Sequence, residues 1–238
     1  MPLKTRRATP GAPSAFTETA RLQGVDFGYA KGPRVLRGVD LLLPRGSFHF
    51  LTGPSGAGKS SLLRLLHLTA RPTAGRMRLF DEDAGLIRRH DAPRFRRRIG
   101  VVFQDFRLMD HLSVFDNAAL PLRLAGRRPA DYGPDVEEML RWVGLGGRMD
   151  DLPQTLSGGE KQRLAIARAV IGKPDLILAD EPTGNVDAAM AARLLKLFQG
   201  LNQMGATVLI ASHDEALAAR SGAAVLRLEH GRVRGGEA

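Results

Sequence analysis

Gly53-Pro54-Ser55-Gly56-Ala57-Gly58-Lys59-Ser60 is the stretch on which the reading of this chain turns. Every fixed position of G-x-x-x-x-G-K-[ST] is present. An apolar segment over residues 48–51 precedes it. A run over 59–68 follows, with Leu62, Leu63, Leu65 and Leu66 at helical spacing. A strand leading through glycines into a helix N-terminus is the context that gives this pattern meaning. Glycines let backbone N–H groups curl round a phosphate chain without Cβ clashes, and the helix start adds partial positive charge. The spacing predicts that Gly53, Pro54, Ser55, Gly56, Ala57, Gly58, Lys59, Ser60 and Ser61 cradle a nucleotide. Lys59 reaches the β- and γ-phosphates, and the Ser60 hydroxyl meets Mg²⁺.

Working outward, the apolar run Leu176-Ile177-Leu178-Ala179 ends in Asp180-Glu181. A carboxylate at the carboxyl end of a buried strand lies at the mouth of an α/β sheet, where ligands bind. Two adjacent acids there repel, so a cation or a proton is expected between them. Asp180 is assigned to Mg²⁺ and Glu181 to general base toward water.

Apolar runs over 99–103, 176–179 and 207–211 alternate with helical periodicity over 59–68, 159–171 and 188–204, which argues a mostly parallel α/β sheet. Residues 22–27, 35–43, 76–80 and 224–228 read as further strands, and Asp81-Glu82-Asp83 as a turn. Residues 114–143 read as helical, interrupted at 126–129 and again at Pro134. Residues 1–18, with three prolines and few apolar side chains, read as a tail ahead of one domain over 19–238.

Composition narrows the partners without naming them. The net charge is +10, from 35 Lys and Arg against 25 Asp and Glu, and only six of the 35 are Lys. Such a chain seeks phosphates, or else carries a solvated arginine-rich surface. No cysteine is present, which excludes disulfides, thiol catalysis and Cys-ligated zinc. No apolar run approaches the ~18–20 residues of a membrane span. The basic N-terminus lacks the apolar core of a signal peptide, so a cytoplasmic chain is expected.

Leu156-Ser157-Gly158-Gly159-Glu160 adds a second motif. Ser157 and Glu160 have the spacing of a capping box ahead of an apolar helical run, and a glycine-lined helix start is also an anion site. With the phosphate loop, this segment resembles the signature of the ATP-binding-cassette (ABC) ATPases, and the resemblance covers about residues 21–231. It implies a P-loop NTPase fold with a RecA-like core, an N-terminal antiparallel β subdomain and an inserted helical subdomain over about 105–160. It also implies a homodimer on ATP binding, in which Ser157, Gly158 and Gly159 of one chain meet the γ-phosphate held by the other. Glu160 stands where the family usually has Gln.

The same resemblance assigns Gln104 to Mg²⁺ and the attacking water, and His213 to the γ-phosphate. It places Asp187 at the dimer interface and Tyr29 against the adenine. For Tyr29 a strand-end aromatic in the core is the other reading. Phe103-Gln104-Asp105-Phe106-Arg107-Leu108-Met109-Asp110, with Pro182-Thr183-Gly184-Asn185, resembles the cell-division branch of the family. Lipoprotein-releasing and macrolide-export ATPases share the second run, so an export ATPase stands as the alternative. The resemblance further implies an integral membrane permease-like subunit as partner, a position on the inner face of the membrane through that partner, and no nucleic acid. Phe106, Leu108 and Met109 are apolar in an expected surface loop, either tucked under the helical segment or docking that partner. Arg88, Arg89, Arg94, Arg96, Arg97 and Arg98 form the densest basic cluster, facing lipid headgroups or simply solvated.

Overall fold

The computed structural model describes residues 17–30, 32–184 and 186–235. Two sheets divide the strands. An antiparallel sheet has the order β2-β1-β4-β5, built from β1 (Glu18–Gly28), β2 (Arg34–Pro44), β4 (Ala74–Leu79) and β5 (Glu82–Asp83). The second sheet has the order β10-β9-β3-β8-β7-β6. Its strands are β3 (Phe48–Thr52), β6 (Ile99–Val102), β7 (Leu176–Asp180), β8 (Thr207–Ala211), β9 (Ala224–Glu229) and β10 (Arg232–Arg234). Its pairings are parallel except for the terminal β9–β10 hairpin.

The central parallel strands β7 and β8 are almost wholly apolar because both faces are covered. In β7, Leu176 and Leu178 face the first core while Ile177 and Ala179 face the second; in β8, Leu209 and Ala211 oppose Val208 and Ile210 in the same way. The first face packs on α1 (Lys59–Leu66) and the antiparallel sheet, through Leu62, Leu65, Leu22 and Leu79. The second packs on α5 (Gly158–Val170), α6 (Ala188–Gln203) and α7 (Glu215–Ser221), through Ile166, Phe198 and Leu217. Val114, Leu122, Tyr132, Leu140 and Leu164 form a third core joining α3 (Val114–Leu124), α4 (Pro129–Trp142) and one side of α5.

Several details differ from expectation. Strand β1 begins at Glu18, and the Thr17 carbonyl accepts from Arg45 N–H, so these two residues join the sheet rather than the tail; residues 1–16 lie outside the described residues. Asp81-Glu82-Asp83 is not wholly turn: Glu82 pairs with Leu79 and Asp83 with Arg78 as β5. A five-residue helix, α2 (Ala92–Arg96), and strand β10 have too few periodic positions to read from sequence. Pro134 does not interrupt α4, which runs through it. Proline removes the bond to the Ala130 carbonyl, but Ala130 is exposed, so that carbonyl is open to solvent. Buried Tyr132, Val136 and Leu140 hold the helix in place meanwhile.

Candidate functional site

Strands β3, β6, β7 and β8 end at the same edge of the parallel sheet, and each delivers one segment there. After β3 comes the phosphate loop. Gly53 has φ 142°, and a Cβ there would lie 2.2 Å from the Leu228 carbonyl oxygen, so only glycine leaves β3 along this path. Gly58, with φ 110°, forms the N-cap of α1 and offers no side-chain cap. The first N–H groups of α1 thus remain for a ligand, as anion sites at helix starts require. Lys59 is buried and donates from Nζ to the carbonyls of Gly53 (2.7 Å) and Pro54 (3.2 Å), which holds the loop closed round its ammonium.

Strand β7 brings Asp180 beside Ser60. Burial pushes the Asp180 carboxyl up from its usual range, the Ser60 hydroxyl pulls it down by hydrogen bonding, and the neighbouring Glu181 charge pushes it up again. The backbone turns at Glu181 with φ 49°, a left-handed conformation that costs a β-carbon residue energy. Its N–H donates to the Ala211 carbonyl at 2.9 Å, tying the turn to the end of β8. Beyond β8, Ser212 Oγ lies 3.4 Å and His213 Nδ1 2.9 Å from Glu181 Oε2. Exposed Gln104 follows β6.

Gly58, Lys59, Ser60, Gln104, Asp180, Glu181 and His213 line one cleft of about 710 Å³ with Tyr29, Val35, Ser55, Gly56, Ser61 and Gly184, while Gly53, Pro54 and Ala57 lie outside that lining. Tyr29 is 46% exposed, which excludes the core-aromatic reading. Its hydroxyl lies 3.0 Å from Ser61 Oγ and accepts from Arg64 at 3.3 Å, while its ring makes a T-shaped contact with that of Phe27.

Other expected residues lie elsewhere on the same chain. Ser157, Gly158 and Gly159 begin α5 outside the cleft lining. Ser157 Oγ accepts from Glu160 N–H at 3.3 Å, and the Glu160 carboxylate accepts from Ser157 N–H at 2.8 Å, so the capping box is complete. The Ser157 N–H, and then its hydroxyl, hold the Glu160 carboxyl below its usual range. Arg148 adds an ion pair to Glu160 at 3.1 Å. Asp187 caps α6, accepting from Met190 N–H at 2.8 Å. Asn185 lies outside the described residues.

Sequence reasoning missed the groups that hold the loop after Gln104. Buried Asn117 of α3 accepts from Met109 N–H at 2.9 Å and donates to the carbonyls of Met109, Leu112 and Ser113. Arg168 of α5 donates to the carbonyls of Phe106 and Arg107, both at 2.6 Å. No local pattern marks either residue, because each partner is a backbone atom. Among the described residues no group of three or more His, Asp or Glu forms a metal cage.

A family model for ABC transporters matches residues 36–184. The chain is 43% identical to the cell division ATP-binding protein FtsE of Escherichia coli K12, over 91% of this chain and 97% of that one. It is 42% identical to FtsE of Mycobacterium tuberculosis, over 82% and 85% of the two chains. Among solved structures, a dimeric post-hydrolysis state of the ATP-binding cassette MJ0796 bound to ADP and Pi is similar, with TM-score 0.85 and 32% identity over 90% of this chain and 96% of that one.

Proposed function

The chain belongs to the ABC transporter family and is an ATPase, and from that premise we propose that it is the ATP-hydrolysing subunit of a cell-division complex. In this reading it drives an FtsX-like integral membrane subunit that controls septal cell-wall hydrolysis, on the inner face of the membrane. The cleft in which the phosphate loop, Asp180, Glu181, Gln104 and His213 converge carries the ATP hydrolysis, and the 43% identity to FtsE carries the cell-division role.

Each residue then has a task. The loop N–H groups and Lys59 hold the β- and γ-phosphates, and the Tyr29 ring receives the adenine. Glu181 takes a proton from water as its oxygen bonds to the γ-phosphorus and the bond to the leaving ADP oxygen breaks. Gln104 and His213 orient that water and the γ-phosphate. Ser60 and Asp180 fit Mg²⁺: both offer oxygen, and the charge of Asp180 is disfavoured by burial until a cation meets it. Mg²⁺ bound there supplies neutralising charge on the phosphates. Ser60 and Asp180 are few protein donors, which would suit an ion that also binds phosphate and water. Ser157, Gly158 and Gly159 act from a second copy, closing two ATP-filled sites in a head-to-tail homodimer, with Asp187 at its interface. The helical subdomain at about 105–160 carries the partner's docking surface.

Glu181→Gln tests the assignment. ATP binding is retained, turnover falls about 10²–10⁴-fold, and ATP drives the variant into a dimer measurable by light scattering. Wild-type turnover in Glu181→Gln would falsify it.

A further inference from the structure

The segment after Gln104 is held in a costly shape. Phe106 and Arg107 have φ values of 58° and 49°, two consecutive left-handed residues without glycine. Local contacts support only part of this turn. Phe106 N–H donates to the Phe103 carbonyl at 3.1 Å, and the Arg107 guanidinium lies 4.1 Å from the centre of the Phe103 ring.

Arg107 also bonds Asp105 through its N–H and its guanidinium, and further support comes from far along the chain. Arg168 is 9% exposed, and its two terminal nitrogens donate to the carbonyls of these same two residues, both at 2.6 Å. Both acceptors are neutral, so a buried cation is met here by dipoles alone. A planar fork suits two adjacent carbonyls; a lysine ammonium is a point charge and cannot match it. Burying a charge this way is costly for stability alone, since an apolar side chain fills such a space at less expense.

What the fork achieves is a connection. Arg168 lies on α5, whose N-cap is Ser157, eleven residues and about 16 Å away along one continuous helix. The clasp therefore joins a segment two residues beyond Gln104 to the rod that presents Ser157. If sites are composite, as proposed above, Gln104 serves the nucleotide on its own chain and Ser157 the nucleotide on the other.

We propose that Arg168 is a positioning residue that makes the Gln104 segment and Ser157 move as one body, so that the two nucleotide sites of the dimer respond together. It touches neither nucleotide. This rests on the composite-site reading.

The test uses the full-length chain with Arg168→Met, which keeps the apolar stem, and Arg168→Lys, which keeps the charge without the fork. Turnover is measured against ATP concentration, and ATP-driven dimerisation in the Glu181→Gln background. For Arg168→Met, binding of a fluorescent ATP analogue stays within about threefold of wild type while kcat falls about 10-fold or more. The Hill coefficient falls from above 1 toward about 1, and dimerisation needs more ATP. Arg168→Lys falls between. A role in stability alone lowers the melting temperature and leaves kcat and Hill coefficient at wild-type values; that result, or a wild-type Hill coefficient of about 1, overturns the proposal. Should Arg168→Met not fold, Arg168→Lys decides by the same criteria. Mixing Lys59→Ala with Ser157→Arg protein, each inactive alone, separates the two readings. Recovered activity with unaltered Arg168 variants defeats the coupling role only, whereas no recovery removes composite sites and the coupling with them.

Discussion

At the scale of single residues, two half-buried ionisable groups near the cleft give stability opposite pH dependences. Burial raises the Asp180 carboxyl, so the folded chain holds its proton more tightly than the unfolded chain. Stability therefore falls as pH rises through the window above the ordinary carboxylate value, and an uncompensated cost remains at neutral pH. Asp180→Asn is expected to raise the Tm of the nucleotide-free protein at pH 7, by roughly 1–3 °C in a domain of this size, while ATP turnover is lost. Calorimetry beside an ATPase assay checks both, and a lower Tm contradicts the account. His67 runs the other way. Burial first, then the guanidinium groups of Arg96 and Arg107, push its imidazole down to about 4. The unfolded chain binds this proton below about pH 6.5 and the folded chain does not, so stability is lost as pH falls from there toward 4. His67→Phe is expected to flatten that acid arm, which amounts to roughly 2–3 kcal/mol at about 1.4 kcal/mol per pH unit, in urea titrations at pH 4.5 and 7. An unchanged pH slope removes His67 from the explanation.

At the scale of elements, the loop between β6 and α3 is an irregular stretch organised from both ends. Arg168 fixes residues 106–107, and Asn117 fixes residues 109–113 with an amide whose two N–H groups serve three carbonyls. Ser113 begins α3 by accepting from Asp116 N–H at 3.0 Å. Asn117→Leu keeps the side-chain size and removes every bond, leaving Met109 N–H and three carbonyls without this partner. A loss of roughly 2–3 kcal/mol is expected, with hydrogen exchange rising in residues 105–113 ahead of the rest of the sheet. Uniform exchange across the molecule would show that Asn117 supports the core and not the loop. Phe106 and Leu108 are half-buried, Leu108 against the third core, so the tucked-under reading describes them in part. Met109 remains 40% exposed.

At the scale of the molecule, exposed Met109 and Leu152 belong to two loops joined by the Gln154 amide, which donates to the Asp110 carbonyl at 3.3 Å. Met109 lies in the loop expected to receive the membrane subunit, and we propose that Leu152 shares that surface. Met109→Asp with Leu152→Asp is predicted to leave ATP binding within about twofold, since surface substitutions usually shift free energies by ±0.5 kcal/mol. Co-purification with an FtsX-like subunit from detergent-solubilised membranes should disappear; retention at the wild-type level places docking elsewhere. The arginine cluster of residues 88–98 looks different in three dimensions from its appearance in sequence. Arg88 meets Asp91, Arg94 meets Glu82 at 2.7 Å, Arg96 donates to the Leu68 carbonyl, and Arg98 meets Asp175 at 2.6 Å. Three of the six arginines thus sit in ion pairs and a fourth serves a backbone carbonyl, which weakens the lipid-headgroup reading.

The amino-acid sequence alone was enough for whatever depends on neighbours along the chain. Gly53 to Ser60 declared its loop because phosphate binding needs consecutive N–H groups, and consecutive groups come from consecutive residues. Ser157 and Glu160 declared a capping box because a helix start is closed within one turn. The apolar runs of β3, β7 and β8 declared a sheet covered on both faces. Only the tertiary structure decided what depends on strand order. It brought His213 to 2.9 Å from Glu181, made Glu181 left-handed, and set Arg168 on the carbonyls of Phe106 and Arg107. A side chain that bonds a distant backbone oxygen leaves no mark in sequence, because every residue has that oxygen and only the fold selects which one is near.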